Sequence, residues 1–312
     1  MISKKLYYIQ INIPPASHWS NNLDNIRGSI FMTLAMLAFT LEDFTLKKAT
    51  DFIPLSQLLI ICGILGSLFF ISCSRYAKEP IFYKDSFNKT LIIRSLFEIM
   101  GRIFYALAIA FMPITNAASI LQATPLVVVM GAVFFMNEKV RWQRWIAILI
   151  GFIGVLMIIQ PGTDGFTIFS IFAVLGMIGF AGRDLATRMS PVGMSNYQLG
   201  SYGFYMVIIS GILLSIFNII MFPQKEIWTY VSFEALIFLL ANAAAGVSAY
   251  FCLTIAMRVG DVSFVTPFRY IRVLFALFFG IVLLGENPNL YILLGSGIVV
   301  LSGIYIITTN KK

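Results

Sequence analysis

Arg94, Glu98 and Arg102 recur at four-residue intervals in an otherwise apolar stretch, "RSLFEIMGRIFYALAIAF". In a helix this spacing stacks all three on one face, where Glu98 can neutralise either arginine. A second stretch, "TPFRYIRVLFALFFG" (Thr266 to Gly280), sets Arg269, Tyr270 and Arg272 among aromatic and aliphatic residues just after Pro267. A third carries the adjacent acids Glu42 and Asp43 in "TLEDFTLKK". Guanidinium groups offer planar forks of donors that suit carboxylates and other acceptor-rich groups, so these residues read as binding chemistry. Catalytic sets are missing. There is no HExxH, no GxSxG and no GxxxxGK[ST], and His18 is the single histidine. Cys62, Cys73 and Cys252 lie in apolar segments without paired spacing, so neither a disulfide framework nor a metal site is indicated. The expectation is a protein that is not an enzyme, with no catalytic residues, no metal and no cofactor.

What surrounds the charges is decided by the composition. Hydrophobic residues fill 59% of the 312 positions and charged ones 12%, against about 45–50% and about 25% in soluble domains. A soluble chain with that balance could not cover its surface, so the spare apolar area must face lipid. The net charge of +8 does not point to nucleic acid. The basic residues form short clusters between long uncharged stretches, with no basic face interleaved with stacking aromatics.

A helix needs about 20 apolar residues to cross the hydrocarbon core. Such stretches run approximately Gly28–Leu46, Ile53–Cys73, Leu91–Ala110, Ile114–Met136, Trp145–Gln160, Phe166–Gly182, Gly200–Met221, Phe233–Met257, Ser263–Gly285 and Leu290–Thr308. The predicted class is therefore an all-α membrane protein of ten transmembrane helices. Residues 1–27 form a polar cytoplasmic leader that lacks the features of a cleaved signal peptide. With a cytoplasmic amino terminus, the inner segments carry fifteen basic residues: Lys4, Lys5, Arg27, Arg75, Lys78, Lys84, Lys89, Lys139, Arg141, Arg144, Arg183, Arg188, Arg258, Lys311 and Lys312. The outer segments carry only Lys47, Lys48 and Lys225. That bias puts both termini of a multi-pass membrane protein in the cytoplasm.

The charges inside the spans are the site candidates, because an ionised group at mid-bilayer costs about 2.5–3.5 kcal/mol even on insertion scales. Glu42 and Asp43 sit roughly 20 Å from the cytoplasmic start of their helix at 1.5 Å per residue. They read either as an interfacial cap beside Lys47 and Lys48 or as site acids. Arg94 can snorkel to the cytoplasm; Arg102 is deeper and needs a partner or water. Arg269 and Arg272 lie roughly 9 and 14 Å deep, so the first could reach headgroups while the second is near the middle. Pro267 frees a backbone carbonyl one turn earlier, which favours a kink facing a cavity. Asn116, Gln122, Thr124 and Asn242 add hydrogen-bonding groups that serve either a site or helix–helix contacts, and Ala106/Ala110 and Ala241/Ala245 have the spacing of packing surfaces. The expected solute-binding set is Arg269, Tyr270, Arg272, Glu98, Arg102, Asn116, Gln122, Glu42 and Asp43.

The two halves of the chain look alike. "ATPLVVVMGAVFFMNEKVRWQRWIAILIGFIGVLMII" runs from a Thr-Pro through an apolar helix and Glu138 to a helix with Gly154; "VTPFRYIRVLFALFFGIVLLGENPNLYILLGSGIVVLSGIYII" repeats that order with Thr266-Pro267, Glu286 and Gly303. Five spans per unit is an odd number, so the second unit must be inverted relative to the first, as in many secondary carriers. The units are 28–160 and 161–312, the latter ending in a short basic tail. Asn137-Glu138 with "W..RW.AI..GF.GV", Pro267–Tyr270 "PFRY", Gly285-Glu286 and "RDLATR" at Arg183–Arg188 together resemble the drug/metabolite transporter superfamily, EamA type, over about Gly28 to Thr308. That resemblance implies ten helices and gradient-linked movement of small organic metabolites, in a family that includes riboflavin and S-adenosylmethionine importers and amino-acid exporters.

The expected function is thus a secondary transporter, importing a heterocyclic vitamin or nucleoside-like solute such as riboflavin or S-adenosylmethionine. Export of amino acids or other metabolites is the alternative, and a non-transporting membrane assembly protein the blandest one. The expected partners are the small-molecule solute and the lipid bilayer, with no nucleic acid, in a monomer or homodimer.

Overall fold

In the computed structural model, residues 22–83, 88–136, 142–160, 167–191, 193–224, 227–259 and 265–308 are described. Among them every regular element is helical. The elements are α1 (Asn22–Ala49), α2 (Leu55–Tyr76), α3 (Lys89–Phe111), α4 (Ile114–Leu121), α5 (Thr124–Met136), α6 (Trp142–Ile159), α7 (Ile168–Arg188), α8 (Asn196–Met221), α9 (Phe233–Val259), a 3-10 turn (Thr266–Tyr270), α10 (Ile271–Phe278), a π turn (Phe279–Leu283) and α11 (Leu290–Thr308). Five helices, α1, α2, α7, α8 and α9, are long and apolar enough to cross a membrane. Most of the leader, 1–21, and the Asn137-Glu138 turn lie outside the described residues.

Helix α1 shows how the sequence meets its solvent. Leu23, Ile26, Ile30, Leu34, Leu37 and Leu41 are exposed, while Met32, Ala35, Phe39, Thr40, Glu42 and Asp43 on the other side are buried. This face-to-face segregation reverses that of a soluble helix. Apolar side chains point out and charges point in, as lipid requires.

The main helix pairs are α1 with α9, α2 with α8, α3 with α7, and α6 with α11. Each joins a helix of the first half to one of the second, and the set is unchanged when the halves are exchanged. Small residues set these contacts. A Cβ on Gly179 of α7 would lie 2.4 Å from the backbone nitrogen of Gly101 on α3, and one on Gly295 of α11 would lie 2.6 Å from the Gly154 carbonyl oxygen on α6. Both crossings bring backbones together at a distance that any side chain would force apart. Asn242 of α9 donates to the Glu42 carbonyl at 2.7 Å and to the Thr45 hydroxyl at 3.2 Å, so it ties α9 to α1 and takes the helix-bridging role.

Three spans near the buried charges depart from expectation. The stretch Ile114–Met136 breaks between α4 and α5. Pro125 has no N–H to give the Leu121 carbonyl one turn back, and the Thr124 hydroxyl donates to that carbonyl instead, at 2.5 Å. The stretch Ser263–Gly285 likewise divides into the 3-10 turn, α10 and the π turn. Helix α7 continues past Gly182 to Arg188, because Arg183 and Asp184 find partners inside the bundle. Arg183 is therefore buried rather than in a cytoplasmic loop.

The ends are pinned by capping. Glu286 accepts from the Ile114 N–H at 2.7 Å and the Thr115 N–H at 3.1 Å, placing a carboxylate at the amino terminus of α4. Lys47 donates to the Met112 carbonyl at 2.6 Å, where α3 ends.

Candidate functional site

Among the described residues nine charged side chains are buried in two groups, and both groups join helices from the two halves. In the first, Arg102 of α3 meets Glu42 of α1 at 2.7 Å. Beside them, Arg272 of α10 meets Asp43 at 2.5 Å. Tyr105 of α3 donates to Asp43 at 3.2 Å and accepts from Arg272 at 3.3 Å. The Arg272 guanidinium lies over the Phe39 ring at 5.2 Å and over Tyr105 at 5.4 Å, within the range of cation–π attraction.

The second group is a chain of alternating charge. Arg94 donates to the hydroxyls of Tyr250 and of Thr187, the latter at 2.9 Å. It lies 3.9 Å from Glu98. Glu98 accepts from Tyr250 at 3.1 Å and from Arg183 at 3.3 Å. Arg183 also meets Asp184 at 2.9 Å, and Asp184 in turn meets Arg269 at 2.5 Å. Phe180 stacks under Arg183 with its centroid 4.6 Å away. The order is thus Arg94, Glu98, Arg183, Asp184, Arg269, positive at both ends.

A cavity of about 40 Å³ lies where the two groups approach the broken helices. Met36, Phe39, Glu42 and Asp43 of α1, Arg102 and Tyr105 of α3, and Phe180 and Arg183 of α7 line it. Leu253, Arg269, Arg272 and the α4–α5 break (Leu121, Gln122, Thr124, Pro125) close it. At roughly 10–15 Å³ per water-sized probe, it has room for about three waters. An organic solute requires the surrounding helices to part. Among the described residues no group of three His, Cys, Asp or Glu side chains could hold a metal ion.

Several expected placements are revised. Glu98 does not pair with Arg102: its carboxylate is held by Arg183 and Tyr250, and Arg102 turns to Glu42 instead. Arg94 does not snorkel and Arg269 does not reach headgroups; both are buried and bound to partners on other helices. Glu42 and Asp43 are not interfacial caps beside Lys47 and Lys48, since both are buried against arginines.

Of the expected set, Glu42, Asp43, Arg102, Gln122, Arg269 and Arg272 share the cavity wall. Glu98 and Tyr270 are buried away from that wall, and Asn116 is half-buried in α4 beside Thr115. Sequence reasoning missed Asp184, Tyr105 and Tyr250 and placed Arg183 in a loop. The signal for the α7 pair was present in "RDLATR", whose charges follow the apolar run without a helix stop. Tyr105 and Tyr250 had no signal that set them apart from other aromatics in spans.

Comparison with known proteins supplies the context. The profile of the EamA-like transporter family matches residues 26–160 and, a second time, residues 167–309. The S-adenosylmethionine uptake transporter of Rickettsia felis is 26% identical, over 71% of this chain and 72% of its own length. The riboflavin transporter of Vibrio cholerae is 28% identical over 71% and 72%. The pseudopaline exporter CntI of Pseudomonas aeruginosa is 21% identical over 91% and 97%. A solved crystal structure shares the fold with a TM-score of 0.65 at 14% identity, covering 91% of this chain and 99% of the other.

Proposed function

Because the chain belongs to the EamA-like transporter family, we propose that it is a secondary carrier that moves a small organic solute across the bacterial inner membrane by alternating access. The observation that carries this reading is the buried charge set that links α1, α3, α7, α9 and the α10 region around one cavity at both helix breaks. Irregular backbone and buried ions at membrane depth are tolerated where they face a cavity.

The two family segments act as inverted five-helix repeats of a ten-span bundle. The exchange-invariant pairing of helices supports this, as does the break of both Thr-Pro stretches. Both termini are cytoplasmic. With Arg183 moved into the bundle, the basic residues still divide fourteen against three. The carrier works as a monomer or homodimer in the bilayer and has no nucleic-acid partner.

Import of a heterocyclic vitamin or nucleoside-like solute is the reading that the uptake-type relatives support. Aromatic walls at Phe39, Tyr105 and Phe180 suit a flat ring, and the guanidinium groups suit its acceptors. Export of a metabolite is the second reading, since an exporter also stands among the relatives. Uptake of labelled riboflavin and of labelled S-adenosylmethionine into proteoliposomes decides between them. Accumulation of either above protein-free liposomes is expected. Failure of both, with efflux of amino acids from loaded liposomes, would overturn import; failure in both directions would overturn transport.

A further inference from the structure

Five buried arginines, Arg94, Arg102, Arg183, Arg269 and Arg272, face four buried acids, Glu42, Asp43, Glu98 and Asp184, among the described residues. The first group is balanced, Arg102 with Glu42 and Arg272 with Asp43. The excess cation belongs to the second, where Arg94, Arg183 and Arg269 share Glu98 and Asp184. A surplus charge away from water is costly unless something compensates it.

The alternating chain has two ends at which a further anion could add. At the Arg94 end, the residue is 1% exposed and its guanidinium donates to Tyr250 and Thr187; one nitrogen there also lacks a partner, but Arg94 is not on the cavity wall. At the other end, Arg269 lines the cavity. Among the described residues its one carboxylate contact is Asp184, another donor reaches only the Met257 sulfur at 3.9 Å, and its buried Nε–H has no hydrogen-bond partner. Arg102 and Arg272 on the same wall also hold buried Nε–H groups without partners. We propose that the cavity carries a carboxylate-binding subsite at Arg269, so that the transported solute presents an anionic carboxylate there and completes the alternating chain of charge.

The proposal rests on the carrier reading for the cavity being the solute site, and of the two solutes named above it selects S-adenosylmethionine, which has a carboxylate, over riboflavin, which has none; its test does not require the solute to be known. Purified protein is titrated with benzoate and with its neutral isostere benzamide at constant ionic strength, and thermal unfolding in detergent is followed. Benzoate stabilises the parent at concentrations at least tenfold below those benzamide needs. Arg269→Gln brings the two to parity, while Arg269→Lys retains part of the preference. Equal effects of benzoate and benzamide on the parent overturn the subsite whether or not the variants fold, as does a benzoate preference that survives in folded Arg269→Gln. Proteoliposome uptake with no benzoate preference would break the subsite and leave the carrier; a benzoate preference without transport of any solute would break the carrier and leave the subsite.

Discussion

Replacing Asp184 with Asn is expected to lower the stability of the folded protein by about 3–5 kcal/mol, the range for removing one partner of a buried ion pair. The side chain is 2% exposed and holds Arg183 at 2.9 Å and Arg269 at 2.5 Å. Without it, Arg94 and Arg183 would share Glu98 alone, and Arg269 would lose its carboxylate partner. Size-exclusion yield and thermal unfolding in detergent measure the loss. The double variant Asp184→Asn/Arg269→Gln removes one charge of each sign and is expected to recover part of it. Additive losses in the double variant would contradict the pairing.

The second large effect is on transport. Arg272 is held by Asp43 and Tyr105 and lies on the cavity wall. Arg272→Lys keeps the charge that Asp43 needs but loses the planar fork, so abundance should stay near normal while transport falls tenfold or more. A hydrogen bond to a charged group contributes about 1.5–3 kcal/mol, and about 1.4 kcal/mol is a factor of ten. Arg272→Ala should be worse in both respects, because it also strands the Asp43 carboxylate. The neutral pair Asp43→Asn/Arg272→Gln separates the two roles: it should restore abundance and not transport. Transport restored along with abundance would reduce Arg272 to a structural charge.

The cavity wall was legible in the sequence where charge stood alone in apolar surroundings. Glu42, Asp43, Arg102, Arg269 and Arg272 were visible because lipid makes each of them costly, and Gln122 because it adds a hydrogen-bonding group to an apolar span. Their partners were not legible. The four-residue spacing of Arg94, Glu98 and Arg102 suggested a ladder within one helix, yet each side chain makes its shortest polar contacts across a helix interface, where α3 meets α1, α7 and α9. Spacing along a chain reports only neighbours on the same helix. Asp184 was hidden by the opposite error, since Arg183 and Asp184 read as a loop while their charges cancelled inside α7. The start of α8 was readable and passed over: Ser195 and Gln198 form a reciprocal capping box, the S-x-x-Q pattern that marks a helix start.

Alternating access requires the cavity to be reached from each side of the membrane in turn. Gln122 is buried on the cavity wall at the α4–α5 break, so Gln122→Cys, with Cys62, Cys73 and Cys252 replaced by Ser, places one thiol at the centre. A membrane-impermeant thiol reagent applied to intact cells and, separately, to inside-out vesicles measures access from each face. Labelling from both faces is the predicted result, and labelling from one face only, in every condition that supports transport, would contradict it.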